Sequence, residues 1–296
     1  MNVFPFIEAE KAEQQGTVAR SCALLEVSRS AFYVWHQHVP SAHQRADESL
    51  CEQIRAIHQE SRGVYGWPRV HEALKADGVR VGPKRVARIM RENELVGRCR
   101  RRWVKTTISD PDVVAVDLLK RSFAPRAELD RVYVGDITYI RTWEGWLYLA
   151  TVIDLASRRV VGWAMAEHMR AELICDALRM AITNRRPAPG AIFHSDRGTQ
   201  YTSTEFTDLL TEHEMIQSLS RPRQCWDNAV AESFFASLKL ECIYRQAFPT
   251  RRHARRAVFD YIEVFFNRRR LHSALGYQSP AAYERKLRNT NTAHAA

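Results

Sequence analysis

The segment 132–140 constrains the fold more than any other part of the chain, since it combines the composition of a buried β-strand with an acid near its middle, Asp136. β-branched and aromatic residues favour strands, and a strand buried on both faces has a nearly continuous apolar sequence. An unpaired carboxylate in such a strand costs on the order of several kcal/mol or more. Asp136 therefore needs either a salt-bridge partner or a bound cation, and this segment alone does not distinguish the two.

Apolar segments follow this strand closely and predict the rest of a sheet. Short turns separate the first three, which indicates antiparallel hairpins, and strands then alternate with helices, which is typical of crossover connections. The predicted strands are 132–141, 146–154, 158–166, 191–195 and 216–219, and the predicted helices are 170–185, 203–213 and 229–241. We therefore predict an α/β fold with a mixed five-stranded sheet flanked by helices.

The changes in composition divide the chain into five parts. Segments 18–25 and 29–36, with Ser28 as an N-cap between them, form a small candidate helix-turn-helix in the first part. The predicted parts are a small helical segment (1–45), a helix-turn-helix-like DNA-binding region (46–105), a linker (106–130), a catalytic core (131–245) and a basic helical extension (246–296).

A second helical pair, 68–76 and 84–91, is the better candidate for DNA binding. Its second helix carries Lys84, Arg85 and Arg88 beside an apolar face. The alternative, which we weigh equally, is a packed helical pair whose basic face is merely solvated.

Positive charge is concentrated on the two sides of the predicted sheet. The chain has a net charge of +10, but residues 131–245 carry 13 Lys and Arg against 14 Asp and Glu. Residues 246–296 carry 10 against 3, and residues 62–105 carry 13 against 4. A near-neutral core between two basic flanks fits a polyanionic partner better than a solvated surface does.

Other features exclude some classes of protein. No apolar run approaches the length of a membrane helix, and the first residues lack the pattern of a secretion signal, so we expect an intracellular protein without a membrane partner. The six cysteines form no CxxC pair, and with the histidines they show no zinc-ligand spacing. We therefore expect reduced thiols.

Three acids stand out on three different predicted elements. Asp136 lies within the first strand, Asp196 at the end of the fourth strand, and Glu232 near the start of the last core helix. Each could be a lone salt-bridged acid. Together they supply the hard oxygen ligands that Mg²⁺ prefers, and a pair of such ions can assist phosphoryl transfer.

The sequence around these acids resembles the DDE transposases and retroviral integrases, whose catalytic core has an RNase H-like fold. Thirty-five residues separate Asp196 from Glu232, the spacing typical of that group. The matching motifs are GDITY at 135–139, HSDRGTQY at 194–201 and WDNAVAESFF at 226–235. The sequence NRRRLHSALGYQSP at 267–280 and the helical pair within 68–91 are most similar to the OrfB-type transposases of bacterial insertion sequences with two reading frames.

This resemblance implies a transposase that cleaves DNA 3′ ends and transfers strands in transposition and integration. It implies that Asp136, Asp196 and Glu232 are catalytic and bind two Mg²⁺ or Mn²⁺ ions. The implied partners are double-stranded DNA at transposon ends and target, further copies of the chain on that DNA, and an upstream-frame protein or fusion. The implied location is the bacterial cytoplasm, on the nucleoid when DNA is bound.

Several basic or aromatic residues are predicted DNA contacts. Lys239 lies seven residues after Glu232, on the same helix face, and by the resemblance would hold a phosphate beside the metals. Trp226 is a candidate for stacking on DNA. The predicted phosphate contacts, which position DNA rather than specify its sequence, are Lys84, Arg85, Arg88, Arg100, Arg101, Arg102, Arg268, Arg269 and Arg270.

Alternative interpretations remain open for single residues and for the whole protein. We predict a structural salt bridge from Asp154 to the following turn, which carries Arg158 and Arg159, and packing for Tyr201. His194 lies either near the metals or in a structural hydrogen bond. The alternatives for the protein are a nuclease that only hydrolyses and a transposase-derived DNA-binding protein or regulator without strand transfer.

Overall fold

The computed structural model describes residues 3–12, 17–37, 40–98, 128–220 and 229–294. The predicted DNA contacts Arg100, Arg101, Arg102 and Trp226 lie outside these residues, as does most of the predicted linker 106–130. None of the helices in the described ranges is both long enough and apolar enough to span a membrane.

The chain begins with α1 (Phe4–Ala12), α2 (Val18–Leu24) and α3 (Arg29–His36). The predicted pair α2 and α3 is confirmed, and the Ser28 side chain accepts a hydrogen bond from the backbone N–H of Ala31, as expected of an N-cap. Helix α1 was not predicted. It contributes Ile7 to a separate apolar cluster with Phe32.

The second helical region consists of α4 (Ala42–Glu60), α5 (Trp67–Ala76) and α6 (Pro83–Glu92). Helix α4 begins at Ala42, directly after Ser41, which forms a reciprocal capping box with Gln44. Proline lies in the first turn of both α5 and α6, where its missing N–H has no intrahelical partner to lose.

A mixed five-stranded sheet forms the centre of the protein, with the order β3-β2-β1-β4-β5. The strands β1, β2 and β3 are antiparallel neighbours, whereas β4 runs parallel to both β1 and β5. The elements are β1 (Val132–Thr142), β2 (Gly145–Asp154), β3 (Val160–Ala166), α7 (Ala171–Arg185), β4 (Ile192–Ser195), α8 (Thr204–Glu212), β5 (Ile216–Leu219) and α9 (Ala229–Glu241). This arrangement confirms the predicted RNase H-like mixed sheet flanked by helices.

The side chains of β1 point alternately into two apolar clusters, one on each face of the sheet. Val132 and Val134 belong to a cluster that includes α9, whereas Tyr133 belongs to a cluster that includes α7 and α8. Successive side chains of a strand point to opposite faces. Asp136 therefore lies on the face that α9 covers.

The C-terminal extension is helical, as predicted, and packs on the α9 face. It contains α10 (Arg251–Phe259), which continues as a π-helix (Asp260–Phe266), and α11 (Pro280–His294). The Asn267 carboxamide donates to the carbonyl of Val160 and accepts from its N–H, which fixes the chain to the start of β3.

The helices α4–α6 share one apolar cluster with α9 and the C-terminal extension. The Tyr65 hydroxyl donates to the Arg269 carbonyl and accepts from the Leu271 N–H. The helices α4–α6 are therefore packed against the rest of the protein, and the domain boundaries drawn from the sequence stay a prediction.

Candidate active site

The sheet places Asp136 and Asp196 side by side. The parallel register pairs Val134 of β1 with His194 of β4. Asp136 lies two residues after Val134, and Asp196 lies two residues after His194. The Asp136 Oδ1 accepts a hydrogen bond of 2.7 Å from its neighbour's N–H at Ile137. The Asp196 Oδ1 accepts one of 3.0 Å from the Gly198 N–H. Both carboxylates are thus oriented by local backbone donors.

Gly135 allows the sheet to pack closely behind this pair. A Cβ atom at this position would lie 2.4 Å from the Phe193 ring. The Phe193 ring in turn packs against Tyr201 and Phe206. The glycine in the GDITY motif therefore makes room for an aromatic layer on the sheet face opposite Asp136.

Helix α9 brings Glu232 and Lys239 to the same side of the molecule. The helix is anchored to the sheet by its buried residues Ala231, Phe234, Phe235 and Leu238. Because seven residues correspond to about two helical turns, Glu232 and Lys239 lie along one face. The Lys239 Nζ lies 5.3 Å from the centre of the Tyr139 ring on β1.

The electrostatics show that these groups influence one another. The pKa of Asp136 is raised to about 8, first by burial and then by the negative charges of Asp196 and Glu232, while the Ile137 N–H and the charge of Lys239 oppose the increase. Burial also raises the pKa of Asp196. Burial lowers the pKa of Lys239, against the charge of Asp136. The charges of Asp196 and Glu232 therefore repel that of Asp136 in a partly buried site.

The oxygen donors fit a hard divalent cation, which would relieve this repulsion. Asp136 and Asp196 are adjacent, and Glu232 is within electrostatic range of Asp136. Within the described ranges, however, no three His, Cys, Asp or Glu side chains are grouped closely enough to hold a metal ion together. The structure thus brings the two aspartates together and leaves Glu232 near them on α9.

Tyr201 and His194 are buried near the two aspartates and have different partners. The predicted packing role of Tyr201 is confirmed by its contacts with Phe193 and Phe206. Its pKa is raised well above the ordinary value, by burial first and then by the charges of Asp136 and Asp196. The buried His194 ring shares a hydrogen bond of 2.9 Å with the Ser218 hydroxyl, which supports its structural interpretation. The motif at 194–201 contains both Asp196 and Tyr201, but the effect of the two carboxylates on Tyr201 was not predicted.

The predicted phosphate contacts on α6 differ in their surroundings. Lys84 is exposed, whereas Arg85 and Arg88 each lie 2.6 Å from the Asp47 carboxylate on α4. Arg88 also pairs with Glu92. Because partly exposed ion pairs contribute little to stability, a phosphate can compete with Asp47, and DNA contact by these arginines stays a prediction.

The prediction for Arg270 needs correction. Arg268 and Arg269 are exposed, but Arg270 is buried and donates to both oxygens of Glu241, at 2.6 and 2.7 Å. Its Nη2 also donates to Ser237. The physical reason is that Glu241 is itself buried and needs a cation, so Arg270 serves an internal ion pair instead of a DNA strand.

The predicted salt bridge from Asp154 is wrong for Arg159, whereas for Arg158 it stays a prediction, since burial lowers the pKa of Arg158 to about 10 and the charge of Asp154 opposes this decrease. This buried carboxylate accepts hydrogen bonds from the backbone and hydroxyl of Ser157 and from the Asp130 N–H. Arg159 instead forms an ion pair of 2.9 Å with Glu284 on α11. Asp154 therefore stabilises the turn between β2 and β3 through hydrogen bonds.

Comparison with known proteins agrees with this architecture. The model of the "HTH-like domain" family matches residues 44–103, and two models of the "Integrase core domain" match residues 126–225 and 232–287. A cryo-EM structure of the simian T-cell lymphotropic virus intasome in complex with PP2A regulatory subunit B56 gamma contains a similar chain. That chain has a TM-score of 0.45 and 14% identity, with 78% of this chain and 73% of that chain covered.

Proteins of insertion sequences are much more similar in sequence. The insertion element IS600 uncharacterized 31 kDa protein of Shigella sonnei is 41% identical over 90% of this chain and 97% of its own length. Transposase InsF for insertion sequence IS3A of Escherichia coli K12 is 38% identical over 95% of this chain and 98% of its own length. With this identity along nearly the whole length of both proteins, the chain belongs to the family of insertion-sequence transposases with an integrase core, to which InsF of IS3 also belongs.

Proposed function

We propose that this transposase cuts and joins DNA strands by metal-assisted phosphoryl transfer, with Asp136, Asp196 and Glu232 as its catalytic carboxylates. The observation that carries the proposal is the adjacent placement of Asp136 and Asp196 on β1 and β4, with Glu232 in electrostatic range. Two adjacent, partly buried acids, of which Asp136 has its pKa raised by the charge of Asp196, are a costly arrangement without a cation. It is the arrangement that a divalent metal site requires.

The residues of the chain have separate tasks in this proposal. Asp136, Asp196 and Glu232 hold two Mg²⁺ or Mn²⁺ ions. When bound, these ions supply Lewis-acid stabilisation of the charge that develops on the phosphodiester. Lys239 holds a phosphate oxygen near the carboxylates, and the N–H groups of Ile137 and Gly198 orient the two aspartates. Catalysis then depends on positioning and on preorganised charge, without a covalent enzyme intermediate.

The proposed partners follow from the same reaction. The substrate is double-stranded DNA at the element's ends and at the target, which a bacterial transposase meets in the cytoplasm on the nucleoid. Joining two ends requires a homo-oligomer on DNA, and an upstream-frame protein or fusion would complete end recognition. Lys84, Arg268 and Arg269 are exposed and suited to phosphate contacts in this assembly.

The test is a strand-transfer assay with purified protein. Labelled duplexes that carry the ends of the encoding element are incubated with Mg²⁺ and a target plasmid. We expect cleaved and joined products from the natural protein. In Asp136→Asn and Asp196→Asn, we expect losses of more than about 100-fold, since even outer-shell partners of metal ligands contribute about 10–100-fold.

Asp208→Asn, on the exposed surface of α8, is the matched control and should keep full activity. Hydrolysis without joining would favour a nuclease over a transposase. Binding of DNA without any cleavage, unchanged in both aspartate variants, would favour the regulator and overturn the proposal.

A further inference from the structure

Thr151 of β2 carries a buried hydroxyl that the fold itself does not use. The residue is 1% exposed, and its Oγ1 atom has no hydrogen-bond partner among the residues that the structure describes. A buried hydroxyl without a partner destabilises a folded protein. Valine has nearly the same shape and suits a strand equally well. Packing and strand formation therefore give no reason for a threonine at this position.

The register of the sheet places Thr151 beside a proposed catalytic acid. Thr151 is the antiparallel partner of Asp136 on β1. Residues directly opposite each other in such a pair project to the same face, with Cβ atoms about 4.5–5.5 Å apart. Leu149 and Ile153, each two residues from Thr151, belong to the apolar cluster that includes α9. The Thr151 hydroxyl and the Asp136 carboxylate therefore lie side by side on the face that α9 covers.

The other neighbours of Thr151 in the sheet do not offer a better partner. On the opposite side, Thr151 pairs with Trp163 of β3, whose indole nitrogen is a donor and already binds the Glu263 carboxylate at 2.8 Å. Thr138 of β1 lies opposite Leu149, so it is a diagonal neighbour at about 7–8 Å. Asp136 is thus the side-chain acceptor that Thr151 faces directly within the sheet.

Asp136 can accept a further hydrogen bond. Its Oδ1 atom accepts from the Ile137 N–H at 2.7 Å. An ionised carboxylate has about four acceptor positions on its two oxygens, so this bond leaves positions for a metal ion and for another donor. A hydrogen bond from a hydroxyl to a carboxylate is about 2.5–2.7 Å long. A threonine hydroxyl that rotates about χ1 can span the separation between the two side chains with such a bond.

A donor on β2 would orient Asp136 in a way that the Ile137 N–H does not. That N–H belongs to the next residue of the same strand, whereas Thr151 would fix the carboxylate relative to the neighbouring strand. Hydrogen bonds to a metal-binding carboxylate set its orientation, and their loss typically weakens metal affinity or activity about 10–100-fold. The Thr151 hydroxyl therefore has the position and the chemistry of an outer-shell partner.

We propose that Thr151 is a positioning residue for the metal site, and that its hydroxyl donates to the Asp136 carboxylate when a divalent cation is bound. The inference rests on the proposed function, since it requires Asp136 to be a metal ligand. In this role Thr151 touches neither the metal nor the DNA. It acts only through the orientation of Asp136.

The test compares two pairs of proteins that differ in the hydroxyl alone. The natural protein and Thr151→Val form one pair, and Thr151→Ser and Thr151→Ala form the other. Binding of Mn²⁺ to the full chain without DNA is measured from the electron paramagnetic resonance signal of free Mn²⁺. In each pair, we expect the protein with the hydroxyl to bind Mn²⁺ about 10-fold more tightly. Thr204→Val removes an exposed hydroxyl at the start of α8 and is the matched control, with unchanged affinity.

Thermal unfolding in EDTA separates this role from a structural one. Because the hydroxyl has no partner among the described residues, Thr151→Val should melt at the temperature of the natural protein or about 2–4 °C above it. A weaker Mn²⁺ affinity in a variant that is at least as stable is the result expected of a positioning residue. A lower melting temperature in EDTA would show that the hydroxyl supports the fold and would overturn the proposal. If Thr151→Val does not fold, the serine and alanine pair decides.

Asp136→Asn shows which of the two proposals fails. If Asp136→Asn weakens Mn²⁺ binding but the proteins of each Thr151 pair bind Mn²⁺ equally, the positioning role is refuted and the metal site stands. If Asp136→Asn leaves Mn²⁺ binding unchanged, the metal site is refuted, and the role of Thr151 with it. Because Mn²⁺ is titrated without DNA, a failure of strand transfer does not affect this measurement.

Discussion

Glu284 on α11 provides the sharpest test of how the C-terminal helix is held to the core. Its carboxylate lies 2.5 Å from Arg185 of α7 and 2.9 Å from Arg159 at the start of β3. The side chains of Arg185 and Glu284 are only 6% and 5% exposed, so solvent screens this pair very little. We expect Glu284→Gln to destabilise the protein substantially, because it leaves a buried arginine without one of its carboxylates.

The magnitude follows from the pKa of Glu284. Burial alone would raise it, but hydrogen bonds from Arg159, Arg185 and Arg288 lower it from 4.5 to about 2. At 1.36 kcal/mol per pKa unit, this difference corresponds to about 3 kcal/mol. A carboxyl group whose pKa is lower in the folded than in the unfolded protein stabilises the folded state. The full stabilisation is present at pH values above the pKa of the unfolded protein, and it is lost as the pH falls through the pKa of the folded protein.

The difference in unfolding free energy between the natural protein and Glu284→Gln should therefore be about 3 kcal/mol at pH 7. It should begin to shrink below pH 4.5 and fall to roughly half at pH 3. Urea unfolding followed by far-UV circular dichroism measures it. With a slope of about 3 kcal/mol per molar urea, the midpoint at pH 7 should move by about 1 M.

Glu212→Gln, at the exposed end of α8, is the matched control and should leave the midpoint unchanged at each pH. A difference that stays constant between pH 7 and pH 3 would show that Glu284 acts through packing and not through its charge. A midpoint shift no larger than that of Glu212→Gln would refute the reasoning altogether.

Other substitutions test the packing that surrounds the site. Gly135→Ala should cost about 1–3 kcal/mol, because its Cβ would lie 2.4 Å from the Phe193 ring, and a lowered melting temperature without a new unfolding phase would show it. Glu241→Gln should cost about 3–5 kcal/mol in urea unfolding by leaving the Arg270 charge buried, and an unchanged midpoint would contradict the internal pair. Asn267→Ala should cost about 1–3 kcal/mol for each β3 backbone group that it leaves unbonded, and faster hydrogen exchange at the start of β3 should accompany the loss.

Local patterns were sufficient to predict most of the sheet. The first strand was predicted at 132–141 and is Val132–Thr142, and the fifth is Ile216–Leu219 as predicted. Short turns and alternation determine such elements, because the information lies within a few residues. The neighbouring positions of Asp136 and Asp196 follow from the parallel register of β1 and β4, which the sequence indicates only through the motifs around them.

Long-range pairing explains what the sequence did not predict. In the run from Asn267 to Arg270, three consecutive arginines are chemically identical, but only Arg270 faces inward. Its partner Glu241 is 29 residues away on another helix. Nothing local distinguishes it from Arg269, so the burial of one arginine depends on how the π-helix places it against α9.

These internal ion pairs also change how the positive charge of the two basic flanks is interpreted. Net charge suggested that most of these arginines serve DNA, but Arg85 and Arg88 lie against Asp47, and Arg270 lies against Glu241. Arg270 joins its segment to α9, Arg85 and Arg88 must exchange Asp47 for a phosphate, and only the exposed cations are immediately open to phosphates. The slope of DNA affinity against salt concentration depends on the number of phosphate contacts and not on the number of basic residues. It should therefore be shallower than the composition suggests, because part of the charge that appears suited to DNA holds the protein together.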